Sequence, residues 1–126
     1  MNIEYSVLPS GTQMCYIEHT DNDHRDDPRP LDDTRDVQNW EQGEATHIWY
    51  WYASGDYYGA GFALVRTPVG TYDVFDLCHR TCYSPTDDIR PGRGEYPILS
   101  IVEKKMLHDG INVTILTDQA RQDGFV

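Results

Sequence analysis

Apolar and polar positions alternate with a period of two through most of this chain, which predicts a domain built largely of strands. Asn2–Leu8 and Thr12–His19 read as two strands joined by Pro9-Ser10-Gly11, where proline presets φ and glycine permits the reversal. In the second strand Cys15, Ile17 and His19 alternate with Met14, Tyr16 and Glu18, so Cys15 and Ile17 are expected to face inward. His47–Ser54, Tyr57–Thr67 and Thr71–His79 follow, separated by turn signals at Gly55-Asp56 and Pro68-Val69-Gly70. A three-stranded antiparallel meander is the economical arrangement of these. Gly59 and Gly61 predict a bulge or a close backbone approach in its second strand. Trp49 and Trp51 share one face of the first strand and Tyr50 and Tyr52 the other, the mark of a central strand buried on both sides.

The period changes after the Gly- and Pro-rich stretch Thr86–Pro97. Ser100 and Glu103 fit a capping box, with Ser at N-cap and Glu at N3, opening a helix that runs to about His108 and stops at Gly110. Ile98, Ile101, Val102 and Met106 would form its apolar stripe, with Lys104 and Lys105 near the negative end of the helix dipole. Ile111, Val113 and Ile115 then alternate with Asn112 and Thr114, the pattern of a last strand, and the tail from Asp118 reads as loose or as a short helical turn. The expectation is one α+β domain over residues 1–126, an antiparallel sheet of about six strands with one main helix at about 100–109.

Composition narrows the function classes. A chain of 126 residues is long enough to bury a core without a metal or a disulfide. Its 39% hydrophobic and 12% aromatic content is too apolar for a disordered chain, despite a mean hydropathy of −0.62. No apolar run approaches the ~18 residues of a membrane span. The opening MNIEYSVLPSG lacks the layout of a signal peptide, so a cytoplasmic location is expected. A net charge of −11 works against direct binding of nucleic acid or an anionic membrane and favours a protein partner with a basic surface, a divalent cation or a neutral ligand. Over half of that charge sits in residues 20–46, where nine acids face three arginines. Pro28 and Pro30 break any continuous helix there, although a turn or two from Asp33 to Gln42 would bury Val37 and Trp40. This acidic insertion supplies the candidate partner-binding residues Asp26, Asp27, Asp32, Asp33, Asp36 and Trp40.

Three cysteines, Cys15, Cys78 and Cys82, are too few and too odd in number for a disulfide scaffold, so reduced thiols are expected. Asp76–Pro85 sets two thiols, His79 and Arg80 at the end of a strand. Arg80 or protonated His79 would lower a neighbouring thiol pKa, and Cys82 with His79 across the turn is the better nucleophile–base pair. No third group to orient the base is evident, so a thiol-dependent enzyme is the alternative reading and no catalytic residue is assigned. Cys15, His19, Cys78 and Cys82 make a zinc set on paper. Residues i and i+4 of a strand lie about 13 Å apart, however, and no metal or cofactor is expected. Asp21–Asp27 fails as an EF-hand, because Asp26 and Asp32 fall where Gly and Glu belong. Trp49 or Trp51 on a partly exposed face would suit a carbohydrate or small ligand, a third reading.

The stretch GDYYGAGFALV…GTYDVFDLCHRTCYSP resembles a motif of small uncharacterised phage and prophage proteins, a Gly-rich aromatic strand followed by a D-L-G-H-C-S-C-Y-G-P-like pattern. Asp76, Leu77, His79, Cys82, Tyr83 and Pro85 agree, whereas Cys78, Arg80, Thr81 and Ser84 depart from it. The resemblance covers about residues 55–88 and implies a phage-type setting without a mechanism. Together these features favour a non-catalytic binding protein, an inhibitor or adaptor that docks on a nucleic-acid-handling host protein through its acidic segment.

Overall fold

Five strands lie side by side in chain order: β1 (Ile3–Val7), β2 (Gln13–Ile17), β3 (His47–Ser54), β4 (Gly59–Arg66) and β5 (Tyr72–His79). They belong to a computed structural model that describes residues 3–17, 45–54, 59–79 and 92–126. β1 and β2 form the expected antiparallel hairpin, with Tyr5 opposite Cys15. Its turn closes through Leu8 N–H to the Thr12 carbonyl and Gly11 N–H to the Leu8 carbonyl, each 2.9 Å. Gly11 sits at φ +94°, where a side chain would be strained. β3, β4 and β5 are the antiparallel meander, in unbroken register from His47↔Arg66 to Ser54↔Gly59. The bulge expected at Gly59 and Gly61 is absent, and Gly61 stands squarely between Tyr52 and Leu77.

The sheet is mixed, not wholly antiparallel, because β2 pairs parallel to β3 with Cys15 opposite Trp49. A parallel pair needs a connection of a dozen or more residues, since the chain leaves one end of the sheet and re-enters at the other. Residues 18–46 are that connection, so the acidic segment joins two neighbouring core strands. The last strand expected at Ile111–Ile115 does not form, which is why the sheet has five strands.

Among the described residues two helices, not one, pack on the sheet face that carries Cys15, Trp49, Leu64 and Val74. The first, α1 (Leu99–His108), buries Leu99, Val102 and Met106 against it. The second, α2 (Thr114–Gln122), buries Leu116, Thr117, Gln119 and Ala120. Ser100 does not cap α1: the N-cap is Ile98, without a side-chain bond, and Ile98 and Ile101 are exposed. Glu103 points instead to α2, accepting from Thr117 Oγ1 and Arg121 Nη1. Both helices stop in the same way. After α1, Gly110 N–H donates to the Leu107 carbonyl and Ile111 N–H to that of Met106. After α2, Gly124 N–H donates to Arg121 and Phe125 N–H to Ala120. These are Schellman closures, with Gly110 at φ +83° and Gly124 at φ +101°. Ahead of α2, whose N-cap is Val113, Asn112 Oδ1 accepts from the Thr114 N–H at 3.0 Å in an Asx turn.

The opposite sheet face is buried as well, around Met14, Tyr16, Ile48, Tyr50, Val65 and Leu77. Before α1, the chain returns along β5: Tyr96 and Tyr72 exchange backbone bonds of 2.8 Å, and Arg93 grips Asp76 through Nε and Nη2 at 2.9 and 2.8 Å. No helix among the described residues is long and apolar enough to cross a membrane.

Candidate functional site

The second Schellman closure decides where the chain's C-terminal residues go. By turning the chain at Gly124 it sets Asp123 and Phe125 beside β1, β2 and β3. There they border a cavity of about 240 Å³ with Tyr5, Cys15, His47 and Trp49. Asp123 is the hub. Its Oδ2 accepts from the indole N–H of Trp49 at 2.8 Å, and its Oδ1 from the Tyr5 hydroxyl at 2.9 Å and Gln119 Nε2 at 3.2 Å. Gln119 Nε2 also donates to the Tyr5 hydroxyl oxygen at 3.1 Å.

Aromatic contacts close the other side. His47 lies stacked over Trp49, and Phe125 meets both rings edge-on at 4.7 and 5.2 Å between centroids. The Arg66 guanidinium covers Phe125 at 4.9 Å and Tyr72 at 5.1 Å, and its Nη1 donates to the Tyr72 hydroxyl at 2.6 Å.

A thiol, an imidazole and a carboxylate thus share one cleft, the residue types of a nucleophilic triad. Their arrangement performs a different task. Asp123 spends its oxygens on Trp49, Tyr5 and Gln119, while His47 Nδ1 lies 3.0 Å from Thr46 Oγ1. Burial, followed by the charge of Asp123, pushes the Cys15 thiol up to about 12, so it stays protonated at neutral pH. Burial and the Arg66 charge push His47 below the usual histidine range, leaving it neutral at pH 7. Partial burial and the bond to Asp123 raise the Tyr5 hydroxyl to about 12. The site is a latch of neutral donors around one carboxylate, fastening the C-terminus to the sheet.

One consequence is directly measurable. Native protein treated with iodoacetamide at pH 8 is expected to leave Cys15 unmodified, as read by peptide mass mapping, and denaturant is expected to expose it to full alkylation. Labelling of Cys15 in the native state would contradict a buried, protonated thiol.

The residues singled out by sequence are distributed differently. Asp26, Asp27, Asp32, Asp33, Asp36, Trp40, Arg80 and Cys82 lie outside the described residues, as does the turn expected at Asp33–Gln42. His79 ends β5 opposite Gly59. Of the paper zinc set, His19 and Cys82 fall outside the described residues, and among the described residues no group of three or more His, Cys, Asp and Glu could hold a metal ion. Trp49 is 1% exposed with its N–H committed to Asp123, so it offers no ring face to a sugar, and Trp51 is partly buried against Phe62. Sequence reasoning passed over Asp123, Phe125 and His47. The available signal was Asp123-Gly124-Phe125, the same acid–glycine–apolar run as Asp109-Gly110-Ile111. No family model, curated protein or solved structure matches the chain.

Proposed function

We propose that this chain is a non-catalytic binding protein, a phage-type inhibitor or adaptor whose acidic segment docks on a basic, nucleic-acid-handling protein surface in the cytoplasm. The observation that carries the reading is where the charge lies. The described residues hold eight acids and five bases, a net of −3, whereas residues 20–46 alone contribute −6. Several charges of the scaffold are also spent internally, Arg93 on Asp76 and Arg121 on Glu103 and Asp118. The acidic segment lies in the stretch between β2, which ends at fully buried Ile17, and β3, which carries fully buried Ile48 and Trp49, so both flanking strands belong to the core. Loops carried by a rigid scaffold are where binding residues concentrate. Dense carboxylates can stand in for the phosphates that a nucleic-acid-binding surface recognises, and they speed encounter with it.

The test is capture of partners from host-type lysate on the immobilised chain with stepwise salt elution, followed by affinity measurement for the captured protein. Changing Asp26, Asp27, Asp32 and Asp33 together to asparagine should weaken binding by about tenfold or more and flatten its salt dependence. Unchanged affinity in that variant would remove the acidic segment from the interface.

A further inference from the structure

The two edges of the sheet are treated differently. At the β5 edge the returning chain covers the start of the strand: Tyr72 exchanges backbone bonds with Tyr96, and the Val74 carbonyl accepts from Arg93 N–H. At the β1 edge no described residue pairs with the strand on its outer side. Edge strands of proteins that remain monomeric are commonly guarded by lysine, proline or a bulge. β1, Ile-Glu-Tyr-Ser-Val, has none of these, and its Tyr5 and Val7 side chains are 62% and 67% exposed.

The direction of the backbone groups on this outer side follows from the hairpin. Leu8 N–H donates to the Thr12 carbonyl, so in this register Ser6↔Met14 and Glu4↔Tyr16 are the hydrogen-bonded pairs. Ile3, Tyr5 and Val7 therefore aim their N–H and C=O groups away from β2. Their side chains all lie on the helix-bearing face, where the Tyr5 hydroxyl is already fixed by Asp123 and Gln119.

We infer that β1 is a self-association edge, pairing antiparallel with β1 of a second copy about a two-fold axis at Tyr5, so that the two sheets become one. In this register the strand is complementary to itself. Tyr5 meets the same residue of the other copy, Ile3 meets Val7, and Glu4 meets Ser6, so every outward N–H finds a carbonyl and apolar side chains meet apolar ones. Sliding by two residues toward the N-terminus would oppose Glu4 to its own copy, which is costly between chains of net charge −11. The fixed tyrosine ring supplies a rigid contact at the centre of the axis.

Sedimentation equilibrium on the full chain tests it, with Val7→Pro and Val7→Lys as variants. Proline at position 7 removes an outward donor and leaves the bonds to β2 in place, and lysine is an ordinary edge guard. The wild type should rise with concentration from 14.5 kDa toward twice that mass. Both variants should weaken association by about tenfold or more while keeping the wild-type circular dichroism. Amide exchange at Tyr5 should slow as the wild type associates. A wild type that stays monomeric up to millimolar concentration overturns the inference. So does a dimer that both variants leave intact, which would place the interface elsewhere.

Discussion

Trp49→Ala is expected to lower the unfolding free energy by about 3–5 kcal/mol, against a total of about 5–15 for an ordinary domain. The melting temperature should fall by roughly 10–20 °C if the unfolding remains two-state. Trp49 is fully enclosed, stacked on His47, edge-on to Phe125 and bonded through its indole N–H to Asp123. Removing it opens a cavity where β3 meets α2 and strips Asp123 of its most buried donor. Trp51 is the informative control. Two residues along the same strand face, it is only partly buried, so Trp51→Ala should cost about 1–3 kcal/mol. Thermal or urea unfolding of both variants measures the difference. Equal losses would mean that Trp49 is not the anchor described here.

That contrast also marks what the sequence could not separate. Period-two alternation located β2 and the meander, because strand side chains must alternate whatever lies around them, and Cys15 and Ile17 do face the core. It gave no sign that Met14 and Tyr16 are equally buried on the opposite face. Alternation reports which residues share a face and says nothing about whether that face is covered. The parallel β2–β3 pairing was beyond reach for a related reason: strand direction is set by how the chain returns over 29 residues, a non-local choice.

At the C-terminus a local pattern misled. Ile111, Val113 and Ile115 alternate like a strand, yet the stripe that matters is Val113, Leu116, Thr117 and Ala120, at helical spacing. Thr117 disguised it, since a polar residue at a core position breaks the apolar count. Its hydroxyl is satisfied by Glu103, the very residue that the capping-box pattern assigned to the start of α1. Competition of this kind, between a local cap and a partner on the next helix, is decided by tertiary packing. The latch around Asp123 was lost with the misread helix.

Asp123→Ala should therefore be the second most damaging change, costing about 2–3 kcal/mol although the residue itself is exposed at the surface. Most of the loss arises at its neighbours. The Trp49 indole N–H can only donate, and once the carboxylate is gone it stays buried without an acceptor. Tyr5 and Gln119 retain their bond to each other and can turn toward water, so they contribute less. Asp123→Asn separates the two effects. An amide of the same shape keeps one acceptor oxygen but puts an NH2 against a donor, so its cost should fall between wild type and alanine, at about 1–2 kcal/mol. Urea unfolding should rank the variants in that order, and tryptophan fluorescence in the native state should shift for alanine more than for asparagine as the indole N–H loses its acceptor. If alanine is as stable as the wild type, the C-terminus is not fastened by this carboxylate, and the packing of Phe125 against His47 and Trp49 would have to hold it alone.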